Sequence, residues 1–531
     1  MEKLRKYAQN LPITFESWIL SFAGIMLVRI FLEQFSSFLP ERFPLIDLPT
    51  IIHYSVFFLA ALIALMAILM FFAKTSLKEV SVICILGFCI IWLAPIIDLM
   101  TGGIGGHTMT YLFTSGKDLL FQFLTYFGAG TIPSGVTLGI KIEGIFIIIF
   151  CYLYVYRVTK NVGRAIGAAT LFYAFLFFLG SSPSVIALFL AQHGGVSTSI
   201  VQSMISSHVV QNNIHPSFSA TDIGLVNLAF NKVMLGVSTI IVIFATMLLF
   251  FIGARKKIIA AMKNSRPERV FYFFFLFAFG TALAHAWPTN WIDIQSYILA
   301  MIALFCAAVF SICQNDIHDE KIDAVSNSNR PLISKELSKN DLEMTSKISF
   351  ALALISAYAS SHYVLFFTCL MIFIYFIYSN PPLRLKRFPI LNSGLIGLAC
   401  VSAVLTGFFL VYPDKSIVAF PFGLAVAIFI FQTAVSSYRD IKDFEGDHAS
   451  GIKTLPVLIG LKKSKQIIAG VNCLLFLLVP WYFHTTFLVI PSIIASILFW
   501  HFTTEENYKG WKTSLVHTAY LIFIIGTIVF K

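Results

Sequence analysis

Two short acidic segments hold the residue types in this chain that are best suited to chemistry. The first, NDIHDEKID, covers residues 315–323 and places Asn315, Asp319 and Asp323 four residues apart. This spacing predicts one stripe of a continuous helix, with Asp316 one step off it. The second, DIKDFEGD, places Asp440, Asp443 and Asp447 at i, i+3 and i+7, again on one helical face. Each cluster begins where an apolar run ends.

Such clusters need a counter-charge, because like charges repel and an ionised group at a helix centre in lipid costs about 2.5–3.5 kcal/mol. Carboxylate oxygens suit hard divalent cations, and Mg²⁺ commonly bridges to phosphate. No C-x-x-C pair or paired histidine accompanies the acids, which argues against zinc. The eight cysteines lie in or beside apolar segments and suggest no disulfide framework. Two facing clusters therefore predict Mg²⁺ ions that bind a diphosphate.

Basic residues in three nearby segments are candidates for neutralising that diphosphate. Arg330 lies in NRPLISKELS, Lys453 lies in GIKTLPVLIG, and YSNPPLRLKR contains Arg384, Lys386 and Arg387. Taken singly, each segment is better explained by the excess of positive charge in cytoplasmic loops, and a lone acidic loop is more often simply solvated. Their combination favours a site.

The elements that must position these residues are membrane helices. Of the 531 residues, 58% are hydrophobic and only 12% are charged, with a mean hydropathy of +0.84. Repeated apolar runs predict an all-α, polytopic membrane protein with about 15 transmembrane helices. Six are expected near 16–37, 50–73, 78–99, 142–158, 164–192 and 233–254. Nine more are expected near 270–287, 295–315, 344–360, 363–379, 391–411, 416–438, 466–482, 485–500 and 512–530. We expect an N-terminal membrane domain of unassigned function (1–253), a basic cytoplasmic linker (254–269) and a C-terminal domain (270–531).

The distribution of lysine and arginine predicts the orientation. A cytoplasmic N-terminus places most basic residues inside, including those of the linker, and it places both acidic segments on the same side. The net charge of +11 is explained in this way, without nucleic acid.

We expect the first span to be retained, since Arg29 and Glu33 interrupt it and no convincing cleavage site follows. These two residues, four apart, predict an ion pair, with a functional intramembrane charge as the alternative. The loop histidines His193, His208 and His215 match no ligand pattern.

With both acidic motifs, NRPL, YSNPPLRLKR and GIKTLPVLIG in this order, the segment from about 268 to 531 resembles the UbiA superfamily of intramembrane prenyltransferases. The first motif is similar to N-D-x-x-D-x-x-x-D and the second to D-x-x-D-x-x-G-D. The resemblance implies a nine-helix bundle with a lateral opening to lipid and a central cavity capped on the cytoplasmic side.

The same resemblance implies an enzyme that removes diphosphate from an allylic prenyl donor with Mg²⁺ and joins the prenyl group to a lipophilic acceptor. It implies metal and diphosphate binding by two sets of residues: Asn315, Asp316, Asp319 and Asp323, and Asp440, Asp443 and Asp447. Of these, Asp319, Asp323, Asp443 and Asp447 are expected to be catalytic. Substrate contact is expected from Asn315, Arg330, Arg384, Lys386, Arg387 and Lys453.

The chain departs from the family pattern after the first motif, where NRPLISKELS lacks the second proline and the glycine of NRPLPSG. This departure affects the loop more than metal binding. The acceptor stays open among quinone precursors, tetrapyrrole acids and glycerophosphate-linked isoprenoids. The alternative function is a membrane transport or assembly protein in which the prenyltransferase-like half serves as a binding module. The intact acidic motifs favour the enzyme.

Overall fold

The computed structural model describes residues 9–36, 48–101, 115–128, 136–190, 203–204, 207, 223–285, 287–412, 415–449 and 451–530. These residues form helices and connecting turns, with no strand among them. Thirteen helices in the described part are long and apolar enough to cross a membrane. The chain divides into two compact units, Met1–Arg255 with Asn290–Gln295, and Lys256–Thr289 with Ser296–Lys531. The expected histidine loop, with His193, His208 and His215, lies outside the described residues.

The first unit contains the six long helices that the hydropathy pattern predicts. Its helices in chain order are α1 Phe15–Ser36, α2 Leu48–Ala73, α3 Leu77–Gly87, α4 Leu93–Thr101, α5 Gly116–Leu124, α6 Leu138–Thr159, α7 Val162–Leu190 and α8 Ile223–Asn264, whose residues after Arg255 belong to the second unit. A 3₁₀ turn, Phe88–Trp92, joins α3 to α4. α8 leaves helical geometry at Ala254 (φ −150°, ψ 47°) and then continues to Asn264, so most of the basic segment expected as a linker is helical.

Buried polar contacts fix the ends of the first-unit helices. Thr137 caps α6 by accepting from the Ile140 backbone N–H, and its hydroxyl donates to Asp98 at 2.5 Å. Asp98 also accepts from the Gly139 backbone N–H at 2.8 Å. These contacts satisfy groups that a helix start leaves unpaired and join α4 to α6.

The second unit contains both acidic motifs. Its helices are α9 Pro267–Leu283, α10 Trp291–His318, α11 Glu320–Ser326, α12 Lys339–Ser360, α13 His362–Ser379, α14 Pro389–Val411, α15 Phe422–Ser436, α16 Tyr438–Lys442, α17 Phe444–Ala449, α18 Leu455–Ile459, α19 Leu461–Tyr482, α20 Val489–Thr504 and α21 Gly510–Val529. Two of these helices are not among the thirteen candidate membrane spans. The apolar stretch of α9, Val270–Leu283, is too short, and the first half of α12 is polar. With these two helices, the second unit has all nine that the sequence predicts.

α9 and α14 cross at very short distance and together form one wall of the site. A Cβ on Gly280 would lie 2.0 Å from the Val404 carbonyl oxygen, and a Cβ on Gly407 would lie 2.1 Å from the Phe277 carbonyl oxygen. Only glycine permits this approach of two backbones. The crossing sets the position of Arg266 before α9 and of Asn392 on α14.

Candidate active site

The first acidic motif lies where α10 gives way to α11. α10 ends at His318, Asp319 has φ −104° and ψ 11°, and α11 begins at Glu320. The Asp319 N–H still donates to the Asn315 carbonyl at 2.9 Å, and the Asp323 N–H donates to the Asp319 carbonyl at 2.8 Å. The helix is thus interrupted at one residue, where a continuous helix was predicted. These two backbone hydrogen bonds across the interruption keep the residues of the motif close together.

The second motif has the same local shape. α16 ends at Lys442, Asp443 has φ −91° and ψ 7°, and α17 begins at Phe444. The Asp447 N–H donates to the Asp443 carbonyl at 2.9 Å. Both middle aspartates therefore occupy the sparsely populated bridge region, where functional residues often lie. α11 packs directly against α17, which brings the two motifs together.

Both motifs line one cavity of about 150 Å³ within the second unit. Its acidic and amide lining from the predicted residues consists of Asn315, Asp319, Asp323, Asp440, Asp443 and Asp447. Its basic lining consists of Arg266, Arg330, Lys386 and Arg439. Asp316 is only 1% exposed and lies behind this lining. The cavity therefore combines acids of two motifs with cations of four separate segments.

Arginines hold the two outer acids of the first motif. Arg266 and Arg330 both pair with Oδ1 of Asp316, the latter at 3.1 Å, while Arg330 also pairs with Asp323. The other carboxylate oxygen of Asp316 is buried without a hydrogen-bond partner. Burial lowers the pKa of Arg330, and the nearby charge of Arg266 lowers it further. Arg330 therefore joins the motif to the loop that follows it.

Asp319 receives two cations from the segment between α13 and α14. Arg384 donates to its Oδ1 at 2.8 Å, and Lys386 pairs with its Oδ2. Lys386 also donates to the Asn315 side-chain oxygen at 3.0 Å. Burial lowers the pKa of Lys386, whereas the Asp319 carboxylate opposes this shift. A buried ammonium with a lowered pKa is a positive charge that a diphosphate would further stabilise.

Amides, by contrast, hold the second motif. Asn392 donates to both carboxylate oxygens of Asp440, at 3.0 and 3.2 Å. Asn327 donates to Asp443 at 3.3 Å and to Asp323 at 3.3 Å, so one side chain bridges the two motifs. Burial and then the charge of Asp443 raise the pKa of Asp447 to about 7. Within the described residues, the ion pairs of this site involve only acids of the first motif.

Three of the predicted basic residues do not line the cavity. Arg384 reaches Asp319 from beside it, as described above. Arg387 is exposed, with its guanidinium over the Phe388 ring at 5.2 Å. Lys453 is also exposed, although its neighbours Ile452 and Thr454 line the cavity. Arg387 and Lys453 therefore have a weaker geometric basis for substrate contact than Arg330 and Lys386.

The structure adds site residues that the sequence argument missed, namely Arg266, Asn327, Tyr378, Asn392 and Arg439. Arg266 belongs to the basic segment assigned to topology alone. Arg439 directly precedes Asp440, and Asn327 lies three residues before Arg330 in SNSNRPL. Their proximity to the motifs was a usable signal. Asn392 has no such signal, since only packing brings it to Asp440.

The chemistry of the donor set fits a hard divalent cation. Carboxylate and amide oxygens from the two motifs face one cavity. Burial, and after it the charge of Asp443, raises the pKa of Asp447, and a bound cation would oppose both effects. The described residues contain no group of three or more acidic, histidine or cysteine side chains already arranged to hold a metal. Asp319 and Asp323 are instead engaged by ion pairs to Lys386 and Arg330.

Residues 272–522 match the model of the UbiA prenyltransferase family. The chain is 30% identical over 250 residues to digeranylgeranylglyceryl phosphate synthase of Methanobrevibacter smithii, a match that covers 43% of this chain and 86% of that one. It is 26% identical over 182 residues to a probable chloroplastic homogentisate phytyltransferase of Oryza sativa, covering 33% of this chain and 47% of that one. A solved UbiA homologue from Archaeoglobus fulgidus, bound to GPP and Mg²⁺, has a TM-score of 0.41 and 18% identity, covering 51% of this chain and 100% of that one.

The fold and the site thus define an all-helical, multi-pass membrane prenyltransferase. This chain belongs to the UbiA prenyltransferase family, which confirms the predicted resemblance. The family match begins at Tyr272, so residues 1–271, which include most of the first unit, lie outside it.

Proposed function

We propose that this enzyme transfers a prenyl group from an allylic prenyl diphosphate to a lipophilic acceptor within the membrane, with Mg²⁺, and releases diphosphate. The observation that carries this proposal is the shared cavity, into which two aspartate motifs and four cationic side chains converge. Acids without the cations would suit a metal site alone, and cations without the acids would suit an anion site. Their combination suits a metal–diphosphate group.

Asn315, Asp319 and Asp323 would hold Mg²⁺ from the first motif, and Asp440, Asp443 and Asp447 would hold it from the second. Bound Mg²⁺ would neutralise the charge that develops on the departing diphosphate. Asp316, turned away from the cavity and held by Arg266 and Arg330, orients these two arginines. Arg330 and Lys386 would exchange part of their contact with the acids for contact with phosphate oxygens.

The reaction breaks the bond between C1 of the prenyl chain and the diphosphate oxygen, and the electron pair leaves with diphosphate. The acceptor then forms a bond to C1 and loses a proton. Phe273, Ile312 and Ile396 line the cavity and would exclude water from the reactive carbon. The rings of Tyr375 and Tyr378 also line it and would stabilise positive charge at that carbon.

The acceptor class is proposed as a lipid-soluble molecule with one nucleophilic group. The names of the relatives support two candidates, a glycerophosphate-linked isoprenoid and an aromatic quinone precursor. A tetrapyrrole acid is the third. We further propose the cytoplasmic orientation of the N-terminus and of both motifs, on the strength of the positive-inside bias. The exposed Lys453 offers a test, since a cysteine placed there should react with an impermeant maleimide only from the cytoplasmic face.

The decisive experiment measures diphosphate release by the purified full chain in lipid, with geranylgeranyl diphosphate, Mg²⁺ and each acceptor class in turn. Release that requires Mg²⁺ and yields a prenylated lipid, and that is lost in Asp319→Ala, would establish the activity. Mass analysis of the lipid would identify the acceptor. No release with any donor chain length would overturn the proposal in favour of a binding or transport role.

A further inference from the structure

The first unit encloses a second cavity, of about 210 Å³, which takes no part in the proposed prenyl transfer. α2, α3, α6 and α7 form most of its wall, and Arg29 of α1 closes one end. A single water needs roughly 10–15 Å³ of such volume. The cavity is therefore large enough for part of an organic molecule.

Most of the wall is apolar and aromatic. Phenylalanines of α2, α6 and α7 and of the 3₁₀ turn after α3 line it, among them Phe57, Phe58, Phe88, Phe150 and Phe172. Such a wall offers a hydrocarbon dispersion contacts but offers water few hydrogen bonds. The occupant must be largely apolar.

The part of the cavity wall at Arg29 is polar, and several contacts hold the Arg29 side chain in place. Arg29 is 1% exposed, and it pairs with Glu143 at 2.9 Å and with Glu33 at 3.1 Å. It also donates to the Ile91 carbonyl oxygen, while its guanidinium lies over the Phe58 ring at 5.6 Å. Its Nε–H is buried and has no hydrogen-bond partner in the protein. A buried donor left in this state is costly, and a ligand oxygen would satisfy it.

The charge balance of this end selects the head group. One guanidinium faces two carboxylates, so an anionic head such as a phosphate would meet net repulsion. A hydroxyl is neutral, can accept from the Arg29 Nε–H, and can donate to the Glu143 carboxylate, which also lines the cavity. The polar end therefore fits an alcohol and disfavours a diphosphate.

Gly87 lines the cavity and is also exposed on the surface of the unit, and we infer that the cavity opens there. Gly87 has helical geometry (φ −71°, ψ −16°), and an added Cβ would lie 3.9 Å from its nearest neighbour, a carbon of the Phe150 ring. A larger side chain can stand there without backbone strain. The opening is thus a place where entry can be blocked by mutation.

We propose that this cavity binds an uncharged, hydroxyl-headed hydrocarbon chain, such as an isoprenoid or alkyl alcohol, with the hydroxyl at Arg29 and Glu143 and the chain along the phenylalanine wall. The site is separate from the aspartate site and has the opposite preference for charge. The proposal does not depend on the proposed prenyl transfer.

The test uses the full chain in lipid nanodiscs and a diazirine-bearing analogue of farnesol, with cross-links mapped by peptide mass spectrometry. We expect labelling of residues that line the cavity and competition by unlabelled geranylgeraniol. Hexadecanol, as a second competitor, distinguishes an isoprenoid from an alkyl source of the same head group. The diazirine analogue carrying a diphosphate should not label these residues. Labelling there by both probes alike, or labelling elsewhere only, would overturn the proposal.

Gly87→Leu should reduce the labelling about tenfold by closing the entrance. Gly24→Leu is the matched control, since Gly24 is exposed on α1 with nothing within 4 Å of an added Cβ. Equal labelling in the two variants would contradict entry at Gly87 and the proposed site. Both variants should keep the elution volume and the thermal unfolding midpoint of the wild type, which verifies that they are folded.

Arg29→Lys tests the head group, because lysine keeps the positive charge but has no Nε–H at this position. In the wild type, geranylgeraniol should compete better than squalene, a hydrocarbon without a head group. This advantage should fall about tenfold in Arg29→Lys. An unchanged advantage would mean that Arg29 does not recognise the hydroxyl and would overturn that part of the assignment.

Discussion

Each unit of this protein buries arginine among carboxylates beside an aromatic-walled cavity, but the two clusters differ in how completely they are engaged. In the first unit, one arginine meets two glutamates, and both pairs are closed at 2.9 and 3.1 Å. In the second unit, five acids and four cations line the cavity, and the second motif is held by amides. The difference shows that the first cluster is closed by charge pairs within one small group, whereas the second spreads its acids over several cations and amides around a cavity.

The largest effect is expected from the acids of the second unit. Asp319→Asn or Asp443→Asn should lower Mg²⁺-dependent diphosphate release by at least about 1,000-fold, since metal stabilisation of a developing charge contributes several kcal/mol. Glu505→Gln is the control, because it removes a carboxylate that pairs with Lys512 at 3.1 Å outside the cavity. Turnover that survives in both aspartate variants would contradict the metal assignment.

Removing the arginine of the first unit should affect stability instead. Arg29→Leu leaves two buried carboxylates without their cation and should lower the free energy of unfolding by about 3–5 kcal/mol. The triple variant with leucine at Arg29, Glu33 and Glu143 should recover most of this loss, because apolar side chains of similar size pack without desolvated charge. Denaturant titration in mixed micelles measures both. A triple variant no more stable than the single one would show that unpaired buried charge is not the cause of the loss.

Loss of the side chain that bridges the two motifs should have an intermediate effect on Mg²⁺ binding. Asn327→Ala removes the side chain that donates to Asp323 and Asp443 and should weaken Mg²⁺ affinity about 10–100-fold, as is typical when the partners of metal ligands are lost. Asn329→Ala, two residues further along the same loop and exposed, is the matched control. A Mg²⁺ titration of turnover distinguishes the two. Identical curves would show that Asn327 does not position the acids.

Protonation of Asp447 in the second unit should have a smaller effect on Mg²⁺ affinity. Burial and the charge of Asp443 raise the pKa of Asp447 to about 7, so Asp447 is protonated below that pH and charged above it. Mg²⁺ affinity should therefore fall up to about tenfold per pH unit below this value and level off above it. Asp447→Asn should bind Mg²⁺ more weakly at every pH and lose this dependence. Isothermal titration across the range would detect both, and a pH profile shared by variant and wild type would contradict the assignment.

The smallest effect is expected at an exposed ion pair. Lys257 and Asp341 pair at 2.7 Å, but the Lys257 side chain is 59% exposed. Lys257→Gln should change the free energy of unfolding by less than about 1 kcal/mol, because water and salt screen such pairs. A loss as large as that of Arg29→Leu would show that the contrast between buried and exposed pairs does not govern stability here.

Where contacts are local, the residues that the sequence singled out lie together in the structure. The spacing of Asn315, Asp319 and Asp323 identified one helical face, and the structure keeps these residues on one cavity. It did not predict the interruptions at Asp319 and Asp443, because a single residue in the bridge region leaves no periodic signal. It also missed Asn392, which reaches Asp440 from a sequence distance of 48 residues.

The first unit shows the same limit. The four-residue spacing of Arg29 and Glu33 predicted their ion pair, which the structure contains at 3.1 Å. Glu143, which completes the cluster, lies 114 residues from Arg29 in the sequence, and no sequence pattern predicted its contact with Arg29. A hydropathy profile records that each helix is apolar but not which faces meet.

Composition and spacing alone therefore determined that this is an all-helical membrane protein, the number of long helices in each half, and the acids that line the cavity of the second unit. These properties depend on residues within one or two helical turns, where backbone geometry fixes the spacing. Tertiary structure decided which cation meets which acid, that Asn327 joins the motifs, and that the first unit has a cavity ending at Arg29. Those outcomes depend on how side chains from distant helices pack, and packing is a property of the whole folded chain.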